Sequence, residues 1–316
     1  MINFFIYIFI LFTYLFAQEQ IGEGLYGDEL IIFLQNHYKT SSTQSYDNAR
    51  DILYSQIDID SNNDIFCIYT NYSVNLPENV DPSNHLYENG MNCEHLWPQS
   101  MYEIITNNLM KSDMHHLRPC KQNVNSYRNN KAFGNSMDSQ TDNWLWLTYN
   151  LTSIPSSNIS EYSENGVSIF EPREDIKGDI ARAMFYFFTI YEEEANDNFF
   201  NLQKDILYDW HNVDPTENSE IERTWAIADY QTNIPNPFII DNTLIYRAYF
   251  YDGNDDIIGD VTQDGSVNVV DVVLIINYIL GTQVLNNAQL QIADINTDGN
   301  INIVDIVALV NLIIGV

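Results

Sequence analysis

The feature that most limits what this chain can fold into is a repeat near its C-terminal end. Asp260-Val-Thr-Gln-Asp264-Gly-Ser-Val-Asn268-Val-Val-Asp271 returns 34 residues later as Asp294-Ile-Asn296-Thr-Asp298-Gly-Asn-Ile-Asn302-Ile-Val-Asp305. Each copy places side-chain oxygens at loop positions 1, 3, 5, 9 and 12 and glycine at position 6. Calcium takes roughly six to eight oxygens, and such a loop needs glycine at its sharp turn. Two Ca²⁺ sites are therefore expected. One uses Asp260, Thr262, Asp264, Ser266, Asn268 and Asp271, and the other Asp294, Asn296, Asp298, Asn300, Asn302 and Asp305. Val267 and Ile301 would pin each loop to a core. Each loop should run into an apolar helix, over residues 272–280 and 306–314, stopped by Gly281 and Gly315. Unlike an EF-hand, position 12 is Asp and no long entering helix is visible. Two Asp-rich turns without a cation are the plain alternative, and the full donor pattern occurring twice argues against it.

The rest of the chain divides around this repeat. Residues 2–16 are almost all apolar and Ala17 precedes Gln-Glu-Gln, which reads as a signal peptide over residues 1–17. The run is short of the ~20 residues that span a bilayer, so no stable membrane insertion is expected after cleavage. Residues 20–250 form a mixed, aromatic-rich body, residues 251–256 a polar linker, and residues 257–316 a small module. In the body, residues 28–37, 46–56 and 175–191 carry helical periodicity, the last with Ile180, Met184, Phe187, Phe188 and Tyr191 on one face. Residues 64–69 are β-prone, and residues 76–92, with Pro, Gly and Asn, read as loop.

Charge bears directly on partners. The net charge is −31, which argues against a polyanionic ligand. Its distribution argues back. From residue 251 onward there are nine Asp and no Glu, Lys or Arg, whereas residues 111–131 hold Lys111, Arg118, Lys121, Arg128 and Lys131 against Asp113 alone. Such a window is either a solvated face or a phosphate footprint. Three cysteines, Cys67, Cys93 and Cys120, allow one bridge; Cys93 with Cys120 is the pair suggested by their places flanking the chemical motifs.

Those motifs are Asn92-Cys93-Glu94-His95-Leu96-Trp97-Pro98, Asp113-Met114-His115-His116-Leu117-Arg118-Pro119 and Asn123-Val124-Asn125-Ser126-Tyr127-Arg128-Asn129-Asn130. They lack the His-Glu-x-x-His of zincins, the deaminase signature and the nucleophile elbow of serine hydrolases. What remains suits phosphodiester hydrolysis. Mg²⁺ keeps several waters and needs only one or two protein oxygens, which Glu94 and Asn125 can supply. His95 is of the right pKa class for a base acting on water. Arg128 and nearby cations, among them Arg118, Lys121 and Lys131 with the amide of Asn130, can meet phosphate oxygens.

Cys93-Glu94-His95-x-Trp97-Pro98, Asp113-Met-His-His-Leu-x-Pro119, Val124-Asn125-x-x-Arg128-x-Asn130 and the run of residues 177–186 resemble the endonuclease I family of secreted bacterial nucleases. Trp210-His211 and Asn236-Pro237-Phe238 also fit. The resemblance implies an α+β, largely helical body with a ββα-metal (His-Me finger) site, which cleaves DNA and often RNA with little sequence preference and leaves 5′-phosphate ends. It implies His95 as general base, Glu94 and Asn125 as Mg²⁺ ligands, Arg128 at the phosphate and His115 supporting the site. Two stretches depart from the family pattern: Arg223-Thr224, and Gln231-Thr-Asn233-Ile-Pro-Asn236, which lacks an arginine and carries an insertion. The C-terminal repeat resembles a dockerin module, implying a small all-α fold around two calcium ions and a cohesin-like partner. Val269-Val270 and Ile303-Val304 stand where many dockerins carry polar recognition residues. The reading is a secreted nuclease tethered by this module. The alternatives are a non-enzymatic extracellular assembly protein with a decayed nuclease body, and a phosphoesterase acting on nucleotides.

Overall fold

A computed structural model describes residues 20–103, 109–251, 257–262 and 266–315. The signal-peptide reading, residues 252–256 of the linker and Asp264 lie outside the described residues. Among the described residues no helix is long and apolar enough to cross a membrane. The structure is mixed α+β, with two separate clusters of buried apolar side chains, one in the body and one in the C-terminal module.

The body opens with α1 (Gly27–Tyr38), which buries Leu30, Ile31 and Leu34 along one stripe. Helix α2 (Tyr46–Ile52) starts at Ser45, whose hydroxyl accepts the Asn48 amide at 3.3 Å. Strands β1 (Asp64–Phe66) and β2 (Ser73–Asn75) pair antiparallel, Ile65 opposite Val74. The stretch expected to be loop contains α3 (Pro82–Glu88). Its start signal is local: Asp81 accepts the Asn84 amide at 2.8 Å, and Pro82 sits in the first turn, where its missing N–H costs nothing. The proline counted toward a loop is here the first-turn residue of a helix.

Next come β3 (Met91–His95) and, after the connecting segment, β4 (Leu117–Lys121), paired antiparallel with Glu94 opposite Arg118 and His95 opposite Leu117. Helix α4 (Gln122–Arg128) follows β4 without a break. Beyond it, β5 (Ala132–Phe133), β6 (Thr141–Trp146), β7 (Tyr149–Leu151), β8 (Ser163–Gly166) and β9 (Ile169–Glu171) form a sheet ordered β5-β9-β8-β6-β7, with only β5–β9 parallel.

Helix α5 (Lys177–Ile190) was expected to be amphipathic and is instead buried all round. The helices α6 (Asp197–Asn201), α7 (Lys204–Val213), α8 (Asn218–Ala228), α9 (Pro237–Ile240) and α10 (Leu244–Tyr249) complete the body, and α1, α7 and α9 pack on α5 from different sides. Its polar residues stay buried because they are paired. The Arg182 guanidinium donates to both carboxylate oxygens of Glu220, and Gly178 is small enough to lie against the Asp214 carbonyl. Trp97 stacks on Phe187 of α5 with ring centroids 4.9 Å apart, joining the β3 end to this central helix.

The C-terminal module holds α11 (Val269–Ile279), α12 (Asn287–Ala293) and α13 (Ile303–Ile314) around Val261, Val272, Ile275, Leu285, Ala293 and Leu309. Helices α11 and α13 begin three residues earlier than expected. Asn268 and Asn302 are the caps, each bonding the second amide after it, while Asp271 and Asp305 reach back to the cap amides at 2.8 Å.

Candidate active site

An open cleft of about 410 Å³ lies where the end of β3 meets α4, and Asn92, Glu94, His95, Asn125 and Asn130 all border it. Adjacent strand residues point to opposite sides. Glu94 accordingly meets Tyr69 and Arg128, while His95 meets Tyr46, Gln99 and Lys111. The cleft reaches both because His95 is the last residue of β3.

Glu94 is almost fully buried. Its Oε1 accepts the Tyr69 hydroxyl at 2.8 Å and lies 3.5 Å from Nε of Arg128. Burial nevertheless outweighs these partners and pushes the Glu94 carboxyl up to about 7. A carboxylate so short of compensating charge is one that a cation would relieve. The second donor comes from α4. The amide nitrogen of Asn125 donates to Oδ1 of Asn92 at 3.0 Å and to the Cys93 carbonyl at 3.1 Å. Both of its hydrogens are thereby used, so Oδ1 is the atom Asn125 can present to a ligand. One carboxylate, one amide oxygen and room for water fit Mg²⁺. They do not fit zinc: among the described residues no three His, Cys, Asp or Glu side chains converge as a metal site.

His95 Nε2 lies 3.0 Å from the Lys111 carbonyl. A carbonyl only accepts, so Nε2 carries the proton and Nδ1 is the basic nitrogen. Gln99 Nε2 stands 3.4 Å from that Nδ1. Burial, with help from the neighbouring His116, lowers the His95 pKa to about 3. The imidazole is thus neutral, and able to take a proton, across the ordinary pH range.

The other predicted residues are placed differently. Arg128 is fully buried over the Phe133 ring, and its guanidinium donates to the carbonyls of His95, Leu96 and Asn129. It clamps the β3 end from beneath and does not reach the open face. Arg118 is buried, 3.6 Å from Asp179 of α5. Lys121 donates to the Leu147 carbonyl at 3.1 Å, and Lys131 to the Gly166 carbonyl at 2.7 Å and to Asn165. The basic window therefore does not form one phosphate-facing surface. Of the predicted substrate contacts, only Asn130 borders the cleft. His115 sits in the core, its Nε2 3.0 Å from the Ile234 carbonyl. Sequence reasoning missed Asn92, Tyr69, Tyr46, Gln99 and Asn129. Asn129 ends α4 with φ 52°, a left-handed value that asparagine tolerates better than most residues, and its place beside Arg128 and Asn130 in the motif was the one signal the sequence offered for it.

In the module, the second loop is closed by its own donors. Asp294 accepts the amides of Asp298 and Gly299 at 3.0 and 2.7 Å, and Gly299 takes φ 82° at position 6. Asp271 and Asp305 are fully buried at the end of each loop, bonded to the amides of Thr262 and Asn296 at position 3. These hard oxygen donors are of the type calcium takes.

Comparison with known proteins agrees with this division. The family model described as Endonuclease I matches residues 27–243, and the model of the dockerin type I domain matches residues 258–314. The chain is 28% identical over 232 residues to the extracellular ribonuclease of Bacillus subtilis (strain 168), covering 69% of this chain and 73% of that protein. It is 32% identical over 162 residues to the extracellular ribonuclease of Bacillus amyloliquefaciens, covering 47% of this chain and 50% of that one.

Proposed function

Because the chain belongs to the endonuclease I family and ends in a dockerin type I domain, we propose that it is an exported, Mg²⁺-dependent endonuclease. It hydrolyses DNA and RNA with little sequence preference to 5′-phosphate ends. The observation that carries the reading is the shared cleft of Glu94, His95 and Asn125, with His95 held in the tautomer that leaves Nδ1 basic. The names of the two Bacillus relatives support RNA as a substrate and export as the destination.

In this reading the β3–β4–α4 unit is a ββα-metal site. His95 Nδ1 takes the proton from a water that attacks phosphorus. Lys111, whose carbonyl orients the ring, and Gln99 beside Nδ1 hold that nitrogen in place. Glu94 and Asn125 would hold Mg²⁺, which when bound would supply positive charge to offset that building on the phosphate and the departing 3′ oxygen. Arg128 is a positioning residue: it fixes the His95 and Leu96 carbonyls and flanks Glu94. His115 supports the segment from the core. Asn130 and Asn129 reach the phosphates, and Lys111, exposed and over the cleft-lining Tyr46 ring at 5.0 Å, is a cation next to the cleft, as is Arg50 over the same ring at 4.8 Å. Cutting of supercoiled plasmid and of single-stranded RNA by the mature chain, each with Mg²⁺ or with EDTA, tests this. Both polymers should be cut only with Mg²⁺, and a mononucleotide ester left intact. Folded protein that cuts neither polymer would shift the reading to an assembly protein with a decayed nuclease body.

The C-terminal module in this reading binds two Ca²⁺ and docks on a cohesin-like protein. Calcium at 100-fold above its dissociation constant should then add about 2.7 kcal/mol per site, or about 5.5 kcal/mol for the two together, to the module's unfolding free energy. Thermal unfolding of residues 257–316 followed by circular dichroism, with calcium and with chelator, reads the difference. Identical curves would remove calcium from the module.

A further inference from the structure

Two of the three cysteines sit together. Cys67 and Cys120 are both fully buried, with Sγ atoms 3.9 Å apart. Their backbones run side by side, because the Ile68 amide donates to the Pro119 carbonyl at 2.9 Å. Sγ of Cys67 also accepts the Lys121 amide at 3.2 Å. Neighbours on hydrogen-bonded backbones have the Cα spacing that a disulfide needs, and a shift of about 2 Å would bring the sulfurs to bonding distance. The pair suggested by sequence is ruled out by register. Cys93 is opposite Pro119, and Cys120 is opposite Asn92. Residues one step out of register face opposite sides of a two-stranded ladder. Cys93 lies against Tyr46 and Tyr54, and Cys120 faces Cys67.

We propose that Cys67 and Cys120 are joined by a disulfide in the exported protein, a covalent staple behind the cleft. It closes a loop across 53 residues of sequence separation. The oxidant is a low-molecular-weight disulfide. The Cys67 thiolate attacks one of its sulfurs and releases one thiol, leaving a mixed disulfide. The Cys120 thiolate then displaces the second thiol and completes the bond. The two electrons and both protons lost by the cysteines end on the two released thiols. Because neither sulfur is open to solvent in the folded chain, pairing happens during folding, before the Cys67 segment closes over β4. The staple has a functional consequence. Tyr69, two residues beyond Cys67, donates the hydrogen bond that orients Glu94. Tying Cys67 to β4 fixes the donor segment to the strand that pairs with Glu94. The bond itself does not depend on the nuclease reading.

The full mature chain is refolded with reduced and oxidised glutathione, denatured, and its free thiols alkylated. One alkylated cysteine, Cys93, is expected, together with a non-reduced peptide linking Cys67 to Cys120. Cys93→Ser should keep the link, and Cys67→Ser should lose it. A reductant should lower the melting temperature of the wild type and of Cys93→Ser by about 5–10 °C and leave Cys67→Ser unmoved. Three alkylated thiols, or a link that includes Cys93, would overturn the proposal. If Cys67→Ser does not fold, the wild-type peptide map decides alone.

Discussion

Replacing His95 with alanine should lower kcat on plasmid and on RNA by about 10²–10⁴-fold while leaving the protein folded, because a positioned base contributes about that much. The side chain is buried beside the Tyr46 and His116 rings and bonds the Lys111 carbonyl. Its loss should cost about 1–3 kcal/mol, too little to unfold the chain. KM should change little, since in the proposed mechanism His95 acts on water and not on the bulk of the polymer. The pH profile separates its role from that of Glu94. With its pKa lowered by burial to about 3, His95 stays unprotonated through the whole working range, so its protonation does not set the acid limb. Glu94 does. Its carboxyl is pushed up to about 7 by burial, so as pH falls below that value it takes a proton and, as the proposed Mg²⁺ ligand, would give up its hold on the cation. Activity at low Mg²⁺ should fall as pH drops from about 8 to 6, and raising Mg²⁺ should move this limb to lower pH. His95→Ala protein that keeps activity within tenfold of wild type would remove the residue from the base role.

The largest stability loss is expected at Asp113. This carboxylate is fully buried and collects four donors: the hydroxyls of Tyr186 and Tyr191 at 2.8 and 2.7 Å, the Gln231 side-chain amide at 2.9 Å and the His115 amide at 3.0 Å. It ties the segment before β4 to α5 and to the chain beyond α8. Asp113→Ala leaves these donors without an acceptor, at about 1–3 kcal/mol each if none relaxes. A loss of roughly 3–5 kcal/mol in urea unfolding is expected after relaxation. Asp113→Asn should lose less, because both tyrosine hydroxyls can turn to accept from its amide. The sign with pH follows from the shift. Burial raises the Asp113 pKa, but the nearby His115 and His116 and the hydrogen bonds from Gln231 and Tyr191 outweigh it and hold the value below the ordinary carboxylate range. Its contribution is therefore complete above the unfolded pKa of about 3.9 and is lost as pH falls through the folded value. Wild type should lose stability steeply below about pH 4, and Asp113→Asn less steeply. An unfolding midpoint unchanged in Asp113→Ala would refute the hub.

Some of this site could be read directly. Glu94 and His95 are adjacent, and Asn125 stands one helical turn into α4, so the strand and helix that present them are encoded within a few residues. The repeat was as legible, since its donors all lie inside one loop. The cations show where reading stopped. Arg118, Lys121, Arg128 and Lys131 are close in sequence to the site, yet two are buried and two are spent on carbonyls. Asp113 looked like the one acid in a basic window and is instead the anchor of a buried network. Helix α5 showed a stripe of apolar residues, while the burial of its other faces depends on α1 and α7, supplied from distant parts of the chain.

Sequence by itself determined the elements whose causes are local: the helices with apolar periodicity, the two oxygen-lined loops, and the residue types able to hold a metal and move a proton. Those depend on spacing of two to twelve residues along one backbone. Tertiary structure alone decided which nitrogen of His95 is basic, which way Arg128 points, and which cysteine faces which. Each of these is settled by a carbonyl, a ring or a thiol brought from another segment. Lys111 lies 16 residues from His95, and Cys120 53 residues from Cys67. A short-range pattern carries no information about such partners, because burial and hydrogen bonding are set by what packs against a residue rather than by what precedes it.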